Sequence, residues 1–146
     1  MKHALMENNI TNEDNRSVIK FLKKNPILTN NKKVLEFEKN WSRWLGIKYS
    51  IFVNSGSSAN FLTLLAVKIL YGTGEVIVPP LTWNSDIIAV IKNGFKPKFV
   101  DINLNTLSMN NDLILKSISK KTKAVFITHA QGFNGLTNKL LDVLRK

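Results

Sequence analysis

Cysteine is absent from the 146 residues. That excludes a disulfide framework, a Cys-ligated zinc and a thiol nucleophile. Long hydrophobic runs are absent too. Stretches such as Phe61–Val67 fall far short of the roughly 20 apolar residues a membrane-spanning helix needs. The polar lead Met1–Asn15 has no apolar core after its first basic residues, so no secretory peptide is evident, and a cytoplasmic protein is expected. Acidic residues are scarce: ten Asp and Glu stand against 21 Lys and Arg, a net charge of +11. Such a balance suits phosphorylated small molecules, an anionic membrane or nucleic acid. The basic residues do not cluster, however. The pairs Lys23-Lys24, Lys32-Lys33 and Lys120-Lys121 are spread along the chain, and heavy use of Lys and Asn is also what an AT-rich genome produces. The charge therefore argues little for a nucleic-acid partner.

What is present is ordinary globular usage, with 44% hydrophobic and 21% charged residues. The length suits one domain with a real core. Residues 1–15 read as a loose lead and Ser17–Leu22 as a short helix closed by Asn25-Pro26. Val34, Leu35, Phe37, Trp41, Trp44 and Leu45 recur at helical spacing, with Gly46 placed as a C-terminal cap. Trp41 and Trp44 read as packing residues on that helix. Beyond it the chain alternates. Strands are expected at Ser50–Val53, Glu75–Val78, Pro97–Val100 and Lys123–Thr128. Helices are expected at Ser58–Leu70, Ser85–Lys92, Asn111–Ile118 and Leu136–Lys146. This β-α alternation predicts a parallel sheet with right-handed crossovers and helices on both faces. Ligands in such sheets bind outside the carboxyl ends of the strands. The walls of that site would be Asn54–Ser58, Pro79–Asn84, Asp101–Asn103 and His129–Gly132.

Three of these walls carry candidate chemistry. Val53-Asn54-Ser55-Gly56-Ser57-Ser58-Ala59-Asn60 follows a strand and opens a helix. The first amides of a helix lack internal partners and sit at its positive end, and small residues let an anion approach. The alternative is that Ser57 simply caps the helix. The segment is not a Walker loop, since the GxxxxGK[ST] pattern is missing. Trp83 stands in a loop near a helix start, either packed in the core or lying flat against a ligand ring. His129 at a strand end is either a base or site-shaping donor, or a structural residue. Asp101 reads as a turn cap. His3 carries no argument, and no carboxylate pair or metal-ligand cluster stands out.

Taken in order, five blocks resemble the DegT/DnrJ/EryC1/StrS family. They are VLEFEKNWSRWLG (residues 34–46), VNSGSSA (53–59), GEVIVPPLTW (74–83), FKPKFVDINLNTL (95–107) and KTKAVFITHAQG (121–132). The family comprises pyridoxal 5′-phosphate (PLP) enzymes of the aspartate-aminotransferase fold that act on nucleotide-linked keto sugars. The resemblance implies a partial three-layer α/β/α large domain with a mostly parallel sheet. It divides the chain into a lead and short helix over residues 1–29 and an incomplete PLP-binding large domain over residues 30–146. It implies that Ser57 and Ser58 hold the cofactor phosphate, that Gly56 allows its close approach, and that Trp83 lies against the pyridine ring. It assigns His129 no catalytic role.

The acid that keeps the pyridine nitrogen protonated and the Schiff-base lysine lie, in the family, beyond these blocks. No lysine here occupies that context, so no catalytic residue is nominated. The expectation is an N-terminal portion of an enzyme, inactive alone, from a truncated gene, a split pair or a partial record. Amino transfer to a nucleotide-linked keto sugar for polysaccharide or lipopolysaccharide synthesis is the first reading, with a nucleotide sugar and an amino-acid donor as partners. NSGSSAN and the segment from His129 to Gly135 are also similar to the sugar 3-dehydrase branch. A non-catalytic subunit of a split enzyme is a further reading, and a homodimer or a complementing C-terminal half the expected assembly. A basic nucleic-acid binder is the weakest reading.

Overall fold

A computed structural model describes residues 8–145. The chain divides between Phe52 and Val53 into two compact units, which are taken separately. His3 and the first half of the expected polar lead lie outside the described residues.

In the first unit, helix α1 (Asn12–Leu22) begins earlier than the expected Ser17. The reason is a reciprocal cap: the Asp14 amide donates to the Thr11 hydroxyl, and the Thr11 amide donates back to the Asp14 carboxylate. Asn25 takes a left-handed φ of 49° immediately before Pro26, a conformation Asn tolerates better than most residues. Helix α2 (Lys32–Leu45) starts on Asn31 and ends on Gly46 at φ 73°, where the absent side chain removes the steric penalty. Its aromatic residues form a ladder. Phe37 stacks on Trp41 at 5.9 Å, Trp41 meets Trp44 at 4.9 Å, and Phe52 packs edge-on to Phe37 at 5.4 Å. The packing is one-sided, since Trp44 remains 74% exposed.

Ser50–Val53, expected as a strand, is not one. The segment has no strand pairing among the described residues. Its polar groups turn to α2 instead: the Phe52 amide donates to Glu38 Oε1 at 2.8 Å, and the Ser42 hydroxyl donates to Ser50 at 2.8 Å. A β-prone run becomes a strand only when another strand accepts its amides.

The second unit is the α/β part. Strands β1 (Glu75–Val78), β2 (Lys96–Phe99) and β3 (Thr122–Val125) form a sheet of order β2-β1-β3, with both pairings parallel. Four helices accompany it: α3 (Gly56–Tyr71), α4 (Asn84–Lys92), α5 (Asn111–Ser117) and α6 (Asn138–Leu144). Strand side chains alternate between two cores. Val76 and Val78 pack with Leu64, Ala89, Val90 and Phe95, so α3 and α4 cover one face. Ile77 packs with Met109, Ile114 and Leu140, so α5 and α6 cover the other. The result is the expected three-layer α/β/α arrangement, with three strands instead of four. The step from β1 through α4 to β2 and the step from β2 through α5 to β3 run in opposite directions on opposite faces, as crossovers of one hand must. At the amino edge of the sheet, a Cβ on Gly74 would fall against the Lys121 carbonyl oxygen, which accepts the Glu75 amide at 2.8 Å. Among the described residues no helix is long and apolar enough to cross a membrane.

Candidate functional site

At the carboxyl edge of the sheet the adjacent strands β1 and β3 part. The chain leaves β1 toward α4 on one face and leaves β3 toward α6 on the other. Adjacent strands whose exits diverge leave a crevice between them, the switch point where open α/β sheets bind ligands. The heads of α3 and α4 stand at this edge.

At the head of α3 the cap is Ser55, not Ser57. Ser55 has extended backbone, and its hydroxyl accepts the Ser58 amide at 3.2 Å. The Ser58 hydroxyl, half-buried, donates to Asn54 Oδ1 at 2.6 Å. Because the cap sits one residue before Gly56, the amides of Gly56 and Ser57 make no hydrogen bond among the described residues. A Cβ added at Gly56 would meet no atom within 4 Å, so the approach to these amides is open. Ser57 is exposed, and its hydroxyl makes no hydrogen bond among the described residues. Two open amides and a hydroxyl at the positive end of a 16-residue helix are donors suited to a phosphate.

Trp83 occupies the N-cap position of α4 with extended backbone, and the residue is 78% exposed. Core packing is therefore not its role within this unit. A groove of about 710 Å³ runs between α3 and α4, lined by Ser57, Ser58, Phe61, Ser85, Ile88 and Lys92 among others. Neither Gly56 nor Trp83 lines it. Ser57 and Ser58 thus share a groove with α4, while Trp83 stands beside the head of that helix.

His129 serves its own loop: the Gly135 amide donates to its Nδ1 at 3.0 Å. Gln131 next to it holds a left-handed φ of 55°. Asp101 caps as expected, its Oδ1 accepting the Ile102 amide at 2.8 Å. No cluster of metal-ligating side chains occurs among the described residues.

The feature sequence reasoning missed is Asp86, only 5% exposed in the first turn of α4. Its Oδ1 accepts from Asn60 Nδ2 of α3 at 2.7 Å and its Oδ2 from the Thr82 hydroxyl at 2.5 Å. Thr82 in turn meets the Thr128 hydroxyl at 2.6 Å. The only sequence signal was an acid three residues after the N-cap of a helix, which reads as dipole compensation.

The model of the DegT/DnrJ/EryC1/StrS aminotransferase family matches residues 8–143. The chain is 34% identical over 111 residues to GDP-4-keto-6-deoxy-D-mannose 3-dehydratase of Yersinia pseudotuberculosis, covering 73% of this chain and 28% of that protein. It is 35% identical over 97 residues to dTDP-3-amino-3,6-dideoxy-alpha-D-galactopyranose transaminase of Aneurinibacillus thermoaerophilus, covering 66% of this chain and 26% of that protein. Among solved structures, the Escherichia coli GDP-4-keto-6-deoxy-D-mannose-3-dehydratase with bound hydrated PLP superposes with a TM-score of 0.76 at 25% identity, covering 86% of this chain and 33% of that one. The chain therefore spans between a quarter and a third of the length of these three relatives.

Proposed function

The chain belongs to the DegT/DnrJ/EryC1/StrS aminotransferase family, and from that premise we propose that it forms the phosphate-holding part of a PLP enzyme. The reaction we assign is amino transfer to a nucleotide-linked keto sugar in polysaccharide or lipopolysaccharide biosynthesis, in the cytoplasm, with an amino acid as donor. The observation that carries the reading is the pair of amides of Gly56 and Ser57 at the head of α3, which have no partner among the described residues.

When bound, the cofactor supplies an electron sink for bonds at the carbon bearing the amine. The residues of this chain bind and orient. The Gly56 and Ser57 amides would hold the phosphate at the positive end of α3. The Ser57 hydroxyl adds a donor, and Ser58 lines the same wall through an oxygen already donating to Asn54. The exposed Trp83 would lie against the flat ring and keep water from one side of it.

Residues 30–146 are, in this reading, an incomplete PLP-binding large domain behind the lead and short helix of residues 1–29. Since the chain covers only 28% of its Yersinia relative, we take the acid and the lysine that complete the chemistry from polypeptide outside these 146 residues. A homodimer or a complementing C-terminal half is the assembly we propose. The dehydratase names of the Yersinia and Escherichia coli proteins favour a second reading, 3-dehydration of such a sugar with the same cofactor. A lysine in the cofactor-carrying position of the completing polypeptide goes with amino transfer, and a histidine with dehydration.

The test uses a Trp41→Phe/Trp44→Phe variant, in which Trp83 is the remaining tryptophan. Pyridoxamine 5′-phosphate is titrated against its emission, because that ligand has no aldehyde to react with surface lysines. Saturable quenching, much weaker with pyridoxamine lacking the phosphate, is expected. Equal quenching by the two ligands, or none, overturns the reading.

A further inference from the structure

We propose that Asp86 is a positioning residue: its buried carboxylate clamps the head of α3, the Trp83 loop and the exit of β3 into one fixed arrangement. This rests on the reading of the site given above, and it goes beyond that reading because none of these contacts belongs to a residue assigned to the ligand.

Asp86 is 5% exposed, and none of the described ion pairs includes it. Burying a carboxylate without a cation is costly unless donors replace its water. Neutral donors do so here. Asn60 Nδ2 reaches Oδ1 at 2.7 Å, the Thr82 hydroxyl reaches Oδ2 at 2.5 Å, and Ser85 Oγ lies 3.4 Å from Oδ1. Asp86 sits in the first turn of α4, at the end of the helix that favours an acidic side chain.

The two donors from outside α4 come from different parts of the site, and Thr82 links them to a third. Asn60 stands one helical turn after Gly56 and Ser57. Thr82 immediately precedes Trp83. The single hydroxyl proton of Thr82 is committed to Asp86, so in the 2.6 Å contact between Thr82 and Thr128 the donor is Thr128. Thr128 immediately precedes His129. One carboxylate thus ties α3, the β1–α4 loop and the end of β3 across the switch point. A hydrophobic residue of equal size would fill the space without fixing these directions.

Asp86→Asn is the decisive variant, because an amide offers one acceptor oxygen and turns its NH₂ toward a second donor. With its oxygen kept toward Asn60, the amide turns NH₂ to Thr82, so the bond that Thr82 gives to residue 86 is lost and the Thr82–Thr128 contact must reverse its direction, while volume is kept. In the single-tryptophan background, Asp86→Asn is expected to raise the half-saturating concentration of pyridoxamine 5′-phosphate about tenfold or more. Thr82→Val is expected to do the same, and Thr82→Ser, which keeps the hydroxyl, to restore binding. Hydrogen exchange gives a readout that a general loss of stability would not reproduce. Amides in the first two turns of α3 and α4 should exchange faster in Asp86→Asn, while those of Val76–Val78 in β1 keep their protection.

Unchanged affinity in Asp86→Asn, or a Thr82→Val variant that binds like the parent, overturns the proposal. So does faster exchange spread evenly over helices and sheet. If the parent protein fails to bind the ligand, the functional reading is what fails, and the exchange pattern alone decides the role of Asp86. If Asp86→Asn does not fold, the Thr82 pair decides it.

Discussion

The hydroxyl oxygens of Thr82 and Thr128 lie 2.6 Å apart beyond the carboxyl ends of β1 and β3. This contact joins two segments that diverge to opposite faces of the sheet. Replacing Thr128 by Val leaves Thr82 donating to Asp86 but removes the proton it receives. A loss of about 0.5–1.5 kcal/mol is expected, the usual net worth of one such bond. Urea unfolding of Thr82→Val, Thr128→Val and the double variant should show non-additive effects. Additive effects would mean that the contact contributes nothing.

The position of the α3 cap makes a sharp contrast between two neighbouring serines. Ser55→Ala removes the acceptor of the Ser58 amide and should cost about 0.5–2 kcal/mol, as for other N-caps. Ser57→Ala should leave stability within about 0.5 kcal/mol, as exposed sites do, while weakening the response to pyridoxamine 5′-phosphate. Urea midpoints and the Trp83 titration separate the two effects. A larger stability loss at Ser57 than at Ser55 would contradict the cap.

Gly74→Ala tests the start of the sheet. The added methyl would press on the Lys121 carbonyl and on the Lys123 side chain. Backbone cannot yield there without loosening the Glu75 amide bond. A cost of about 1–3 kcal/mol is expected, typical of overpacking, with faster hydrogen exchange at Glu75 and Val76. A neutral substitution would show that β1 and β3 can separate freely at this end.

Asp112 supplies a pH dependence. The Lys139 ammonium, hydrogen-bonded at 2.8 Å, holds its carboxyl below the ordinary carboxylate value, helped by Lys116. A carboxyl whose folded value is depressed binds its proton more readily in the unfolded chain. Its stabilising effect is therefore complete above about pH 4, the unfolded value, and is lost as pH falls through the depressed one. Asp112→Asn should flatten that part of the acid-side stability curve, measured by urea unfolding between pH 2 and 6. The contribution is small because both side chains are exposed, and high salt should reduce it further. Identical curves for parent and variant would remove it.

Much of the candidate site was legible in residues 53–59 and 74–83, because glycine, serine and proline at element boundaries act locally. Gly46 ends α2 for the same reason. For Trp83 the sequence left core packing and a place against a ligand ring both open, since its surroundings depend on what packs beside α4. Asp86 was not legible as a clamp. Its partners Asn60, Thr82 and Thr128 come from three separate elements, and an acid in a first helical turn has an ordinary local explanation.

By itself, the order of residues determined the alternation of helices and strands from α3 onward and the loops that reach the carboxyl edge. These follow from side-chain periodicity and turn chemistry, which act over a few residues. The tertiary structure alone decided that Ser50–Val53 stays unpaired, that Ser55 and not Ser57 caps α3, and that a buried carboxylate fastens the switch point. Strand pairing and the satisfaction of a buried charge require partners distant in the chain, and only folding brings those partners within hydrogen-bonding reach.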